Sequence, residues 1–366
     1  MTAAIVGSGL AGFTAYATLR HGGLEPSEIA VFGPDPDPAA AWRPRAAAIR
    51  QREMRSESEG HCLPTSFPGL AVREAKRRRS PVPLVASALD RYHPSVDEFL
   101  AHVEELREGS GWDDSHRPAT IARVHAVGGG FELDGHGRFA HVLVAPGHPG
   151  LNVPDEFRGD PRVVHSYEPH EYSSTVTVVG AGLAAATEWL NALDAGAETV
   201  VSVRRREPER RPLNVPRRYF TRRGLAGFHR LGRNERAAFL RSLLVPSYPP
   251  GTRFDAPLGR AAAEGRFRIE PAVNGTEQVI CATGFLRGFE HDPVLRRLVD
   301  EHGVPTVDSW IELAPDSTVP ALTDATRTLA LAGVPAQWAF PGADTLVGAK
   351  YAARGFLRRI KACRTR

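Results

Sequence analysis

Two stretches of the chain repeat one pattern of hydrophobic and polar positions. Ala3 to Val6 is a short apolar run, followed by Gly7-Ser8-Gly9-Leu10-Ala11-Gly12, a helical stretch to about Arg20 and a second apolar run, Ile29 to Phe32. Thr175 to Val179 is followed in the same way by Gly180-Ala181-Gly182-Leu183-Ala184-Ala185, a helical stretch to about Leu193 and the run Thr199 to Val203. Each predicts strand, tight turn, helix, strand, the opening of a βαβ unit. What repeats is the motif and not the sequence, so the chain is no solenoid.

Between the repeats lie a stretch broken by Pro and Arg (Pro34 to Pro83) and a predicted helix over Ser95 to Arg107 with Phe99, Val103 and Leu106 on one side. A β-rich tract, Ile121 to Val144, then runs into Ala145-Pro146-Gly147 and a Pro/Gly linker, Pro149 to Pro154. After the second repeat, Glu207 to Gly265 reads as an elaborated connection rich in Arg and Pro. A strand over Gln278 to Ala282 leads into Thr283-Gly284-Phe285, and the chain closes with a strand over Thr328 to Ala332 and a helix over about Asp344 to Ile360. The expected fold class is α/β with two Rossmann-like dinucleotide-binding domains. The expected units are 1–150, 151–275 and 276–366, the second inserted between the two parts of the first.

Length and composition agree. A chain of 366 residues is long enough for two cores, and 42% apolar against 24% charged residues is ordinary globular balance. The net charge of +4 argues for neither nucleic acid nor a membrane surface. Lys occurs only at 76, 350 and 361, so Arg carries nearly all the positive charge. Cys62, Cys281 and Cys363 lie far apart with no C-x-x-C pair, which suits a reducing cytoplasm and encodes neither a disulfide framework nor a dithiol centre. No metal-ligand spacing stands out. The N-terminal run lacks the basic residue of a signal peptide, and no run of about 20 apolar residues offers a membrane span.

The glycine turns carry the chemistry. In G-x-G-x-x-G the first glycine permits the turn, the second lets backbone approach a diphosphate, and the third lets the helix pack on the strand. The diphosphate then sits at the positive end of the helix. Gly7, Gly9, Leu10, Ala11 and Gly12 are one expected cofactor contact set, and Gly180, Gly182, Leu183 and Ala184 the other. The second motif has Ala185 in place of its third glycine, and its following strand ends in Arg204-Arg205-Arg206, where guanidinium suits the 2′-phosphate of NADPH. The first has no basic residue at the equivalent place. Gly33 stands where a ribose-binding acid is usual, which leaves Asp35 or Asp37 for that role and favours FAD.

Together these motifs resemble the two-dinucleotide flavoprotein family, most closely its class B monooxygenases: flavin-containing, Baeyer–Villiger and N-hydroxylating. Cys281-Ala282-Thr283-Gly284-Phe285 is similar to the A-T-G segment that joins the nicotinamide half to the flavin half, with Ala145-Pro146-Gly147 as its counterpart. Phe157-Arg158-Gly159 followed by His165 is similar to the family's F-x-G…H signature, with five intervening residues in place of three. Leu331-Ala332-Gly333 followed by Gly348-Ala349-Lys350 resembles the last flavin-contacting strand and helix. Val334 in place of the acid of the disulfide-reductase branch argues against that branch.

The resemblance implies FAD and NADPH as cofactors, with Gly147, Thr283, Gly284, Gly333 and Gly348 among the contacts. It also implies insertion of one oxygen atom from O₂ into a small molecule through a flavin C4a-(hydro)peroxide, with N-, S- or carbonyl oxidation open. Trp42 to Gly69 falls where such families place residues beside the flavin ring. Trp42 is expected to pack on the ring, and Ser56 and His61 to contact flavin or substrate as catalytic residues. Arg204 to Arg241 suggests an anionic partner: coenzyme phosphate, an acidic substrate or a carrier-bound one. Nucleic acid is disfavoured, and a homodimer stays open. The rival readings are an NAD(P)H-linked flavin oxidoreductase that does not oxygenate, and an FAD-binding redox sensor without turnover.

Overall fold

The computed structural model describes residues 2–54, 69–88, 92–211, 215–251, 253–275 and 278–364. Two five-stranded parallel sheets organise it. The first runs in the order Thr328–Leu331, His141–Val144, Ala3–Val6, Ile29–Gly33, His116–Pro118. Ala3 pairs with Ile29 on one side and His141 on the other. The second runs Phe267–Glu270, Thr199–Val203, Thr175–Val179, Gln278–Cys281, Val163–His165. The α/β class with two Rossmann-like sheets is what the pattern predicts. The strands of the second sheet all fall, in sequence, between His141–Val144 and Thr328–Leu331 of the first.

The inner strands read as unbroken apolar runs because both faces of each sheet are covered. In the first sheet, Ile5, Leu143 and Ala330 face a core shared with Phe13, Tyr16, Leu19 and Phe356 of the first and last helices. Val6, Val144 and Leu331 face the opposite core, which holds the meander Val124–Phe139, the helix Pro293–His302, Trp338 and Phe340. The second sheet has its own core around Val178, Trp189, Val200 and Ile280.

The tract Glu207 to Gly265 is more ordered than a connection. It forms the helices Arg222–His229, Arg233–Leu243 and Asp255–Ala263. The third packs on the second sheet through Leu258, whereas Leu225, Phe228, Leu240 and Leu243 of the first two join the meander-side core of the first sheet. The stretch Pro34 to Pro83 likewise contains the helices Arg43–Ala48 and Leu70–Arg78. The latter buries Glu74 completely, held by Arg73, Arg77 and Arg78. No helix among the described residues is long and apolar enough to cross a membrane.

Candidate active site: two glycine turns and the crossings between them

The first turn is shaped by contacts that only glycine allows. Gly7 has φ +113°, and a Cβ there would stand 2.1 Å from the Ala145 carbonyl oxygen. A Cβ on Gly12 would stand 1.9 Å from the Gly7 carbonyl oxygen, so helix, turn and neighbouring strand are in backbone contact. Gly9 differs. It caps the helix Leu10–His21 without a side-chain hydrogen bond, no described residue lies within 4 Å of its Cβ position, and the helix's first turn carries no acid. The open side of the turn therefore presents uncompensated N–H groups and bare backbone, which fits a diphosphate.

The neighbouring strand explains the missing acid. A Cβ on Gly33 would lie 2.1 Å from the Ser8 hydroxyl oxygen, so the turn fills the space any side chain would need. Asp35 stands beyond it, exposed, its carboxylate accepting the Asp37 N–H at 2.8 Å. Asp37 pairs with Arg43 at 2.9 Å.

Gly147 (φ +80°) follows the strand beside Ala3–Val6, and its Cβ direction is also open among the described residues. Gly333 (φ +75°) ends the last strand beside Ala11, whose Cβ lies 3.6 Å from the Gly333 Cβ position. Gly348 presses the last helix onto the loop before it, 2.3 Å from the Gly342 carbonyl oxygen by its Cβ position, and its N–H donates to the Thr345 hydroxyl at 3.1 Å. Gly7, Gly9, Leu10, Ala11, Gly12, Gly147 and Gly333 thus converge at the C-terminal ends of one sheet, with Gly348 at the start of the adjoining helix. Trp42 is half-buried and meets Phe99 edge-on at 5.4 Å. Ser56 and His61 lie outside the described residues.

The second turn repeats this geometry. Gly180 has φ +138°, with the Ala282 carbonyl oxygen 2.5 Å from its Cβ position. Gly182 is open, its nearest neighbour being the Ser247 carbonyl oxygen at 4.0 Å, and it caps the helix Leu183–Asp194, again with no acid in the first turn. Ala185 is fully buried against the strand. Arg204 and Arg205 diverge. Arg204 lies largely buried along a hollow lined by Trp189, Tyr248 and Ile269, pairs with Glu207 at 2.9 Å, and its buried Nε has no acceptor among the described residues. Arg205 is 85% exposed and pairs with Glu156 at 2.5 Å.

Where the chain crosses between the sheets, the two crossings run side by side. The Thr283 hydroxyl donates to the Asn152 carbonyl, the Asn152 amide donates back to the Thr283 carbonyl at 3.2 Å, and the Leu286 N–H donates to the Gly150 carbonyl at 2.9 Å. Thr283 and Gly284 (φ +77°) therefore build the crossing. An aromatic column stands over it. His148 stacks on Phe285 at 3.9 Å, Phe285 on Tyr167 at 4.8 Å and Tyr167 on His165 at 5.6 Å, with the Arg45 guanidinium 5.1 Å from the Phe285 ring. Burial pushes His148 down to about 4, helped by Arg287 and Arg45, so it is neutral at physiological pH.

A second contact joins the halves through Asn191, beside a buried acid of the same helix. Buried Glu188 accepts from Tyr172 at 2.7 Å and lies 3.1 Å from the His170 ring, while the Asn191 amide donates to the Ile49 carbonyl at 2.9 Å. Burial pulls His170 down, but the hydrogen bonds to Glu188 and to the Glu168 carbonyl, with the charge of Glu188, leave it raised. Sequence reasoning missed this pair; of the column it singled out His165 and Phe285 as parts of motifs but not their stacking.

No protein-family profile and no curated protein matches the chain. Solved structures do. An ornithine hydroxylase from Pseudomonas aeruginosa superposes with a TM-score of 0.70 at 17% identity, covering 98% of this chain and 99% of that one. An ornithine N-hydroxylase from Kutzneria sp. 744, with reduced FAD, NADP⁺ and L-ornithine, gives 0.72 at 14% identity over 98% of both chains. An L-lysine 6-monooxygenase from Pseudomonas syringae gives 0.70 at 14% identity over 99% of both. The chain has the fold of the N-hydroxylating flavin monooxygenases. In this monooxygenase fold the described residues carry both glycine turns, the paired crossings and the helical cover on the first sheet.

One stretch of that cover has a marked charge. Between Glu209 and Glu235 the chain holds no acidic residue. Arg204, Arg205, Arg210, Arg211, Arg233 and Arg241 each pair with a carboxylate, whereas the exposed Arg222, Arg223 and Arg230 have no ion-pair partner among the described residues.

Proposed function

We propose that the protein is an FAD- and NADPH-dependent monooxygenase that transfers one oxygen atom from O₂ to the nitrogen of a small-molecule amine. The observation that carries this reading is the pair of open glycine turns. Each stands at the C-terminal end of a parallel sheet and before a helix with no acid in its first turn, within a fold shared end to end with amine-oxidising enzymes. FAD on the first turn would take hydride from NADPH on the second and supply the oxygen chemistry.

The chain's own residues bind and orient. The N–H groups after Gly9 and Gly182 would hold the two diphosphates. Largely buried Arg204, with its acceptor-free Nε, is the better placed of the two arginines for a 2′-phosphate. The start of the last helix, at Thr345 to Gly348, would set a positive dipole end toward a reduced flavin. The aromatic column at the crossing would keep water from the path between the turns. The uncompensated arginines 222, 223 and 230 support an acidic substrate, or one presented on an acidic carrier, as the finer reading.

The test is optical and chemical. Purified protein should be yellow or become so with FAD, and anaerobic NADPH should bleach it. Admission of O₂ with amines such as ornithine, lysine or cadaverine should then give hydroxylamine. Protein that bleaches but releases only hydrogen peroxide with each amine is the non-oxygenating oxidoreductase. Protein that takes up FAD yet is not bleached is the sensor.

A further inference from the structure

A cavity of about 300 Å³ lies on the meander side of the first sheet, across the strands from the helix that follows Gly9. Of the residues read as cofactor contacts only Gly147 lines it, and Val334, next to Gly333, lines it too. Its walls are apolar: Leu244, Phe289, Leu295, Trp310, Ile311 and Val334. The volume falls at the small end of the range for ligand sites.

Its polar groups are few and placed at two depths. Gln337 and Asp292 are nearly buried, 5% and 8% exposed. The Gln337 amide makes no hydrogen bond with the described residues, although it lines the cavity. Asp292 caps the helix Pro293–His302 with one carboxylate oxygen, which accepts the N–H groups of Val294 at 3.0 Å and Leu295 at 2.9 Å. Its other oxygen receives no hydrogen bond from the described residues. Burial holds this carboxyl above its usual range, the mark of a charge that lacks a counter-ion. At the exposed rim, Arg241 and Asp308 neutralise each other. Arg287 lines the same cavity and has no ion-pair partner among the described residues.

We propose that this cavity binds a zwitterion whose two charges are separated by an apolar chain, an ω-amino acid, with its ammonium on Asp292 and Gln337 and its carboxylate on Arg287. An ammonium satisfies the free carboxylate oxygen and the amide oxygen together, the chain replaces water along the apolar walls, and the guanidinium takes the anionic end. An ammonium held by a carboxylate keeps its proton and has no lone pair to oxidise. The seat is therefore one of recognition, and it stands whether or not the chain oxygenates.

The test is calorimetric titration of the purified full chain, with and without added FAD, using 6-aminohexanoate, hexylammonium and hexanoate. Asp292→Asn keeps the helix cap, since Asn caps as well as Asp, but removes the charge. Arg287→Gln alters an exposed side chain. The wild type should bind 6-aminohexanoate at least tenfold more tightly than either one-ended probe. Asp292→Asn should weaken 6-aminohexanoate and hexylammonium tenfold or more and leave hexanoate unchanged, and Arg287→Gln should weaken 6-aminohexanoate and hexanoate but not hexylammonium. Unchanged melting temperatures show that both variants fold. No binding of 6-aminohexanoate to the wild type, equal binding to wild type and Asp292→Asn, or a one-ended probe as tight as the zwitterion would each overturn the proposal.

Discussion

Gly9 and Gly7 are two residues apart, and replacing each with alanine should have opposite consequences. At Gly9 the backbone is extended (φ −70°, ψ −176°) and no described residue stands within 4 Å of a new Cβ. Alanine is a weaker N-cap than glycine but reduces the freedom of the unfolded chain, so stability should change by no more than about 1 kcal/mol. The methyl would nevertheless stand on the face where a diphosphate must approach bare backbone. Loss of one close charge-assisted contact there, about 1.4 to 2.8 kcal/mol, means FAD affinity falling roughly ten- to a hundredfold. At Gly7 the methyl would meet the Ala145 carbonyl oxygen at 2.1 Å on a backbone of φ +113°. Strain and overpacking together should destabilise the fold by roughly 3 kcal/mol or more. Thermal unfolding without cofactor and quenching of flavin fluorescence on titration separate the two effects. Wild-type FAD affinity in Gly9→Ala, with the fold intact, would refute the diphosphate role of this turn.

Three further outcomes follow from the side chains. Arg204→Ala should raise the KM for NADPH about tenfold with little change for NADH, while Arg205→Ala, whose guanidinium faces solvent and Glu156, should change either by less than about twofold; steady-state kinetics with both coenzymes decides. His141 is 2% exposed, its Nδ1 has no hydrogen-bond partner among the described residues, and burial, aided by Arg364, pushes it down to about 4. A lowered histidine contributes stability that is whole above the unfolded value near 6.5 and lost as pH falls, here roughly 3 kcal/mol by pH 4, so urea midpoints should drop over that window and drop less in His141→Gln. His170 is raised by Glu188, so its contribution is whole below about pH 6.5 and is lost as pH rises through the folded value. Glu188→Gln should flatten that alkaline loss, and an unchanged alkaline profile would count against the pair.

The parts of the fold that are legible in the sequence are those whose causes are local. Ala3–Val6 and Thr175–Val179 form as read because a buried parallel strand is a continuous apolar run, and a glycine that must turn sharply marks its end. Gly33 was legible as a missing acid, but its reason, the Ser8 side chain in the same space, exists only once the turn closes. The helix Leu70–Arg78 was hidden because its stabilising partner is a buried Glu74 ringed by arginines, a pattern that reads as a solvated charge run. The destination of Arg222 to Leu243 was hidden for the same kind of reason: its apolar face matches a wall made by residues a hundred positions later, at Trp338 and Phe340. Arg204 and Arg205 are alike in sequence and differ only in what each turns toward.

The helices that carry Leu225, Phe228 and Leu240 leave the half built on the second sheet and finish the wall of the half built on the first. Severing the chain at its two neighbouring crossings and rejoining the ends would strip that wall and leave Trp338 and Phe340 wet. The roof of the first sheet is thus written between two neighbouring strands of the second, and the first core is complete only when both are present.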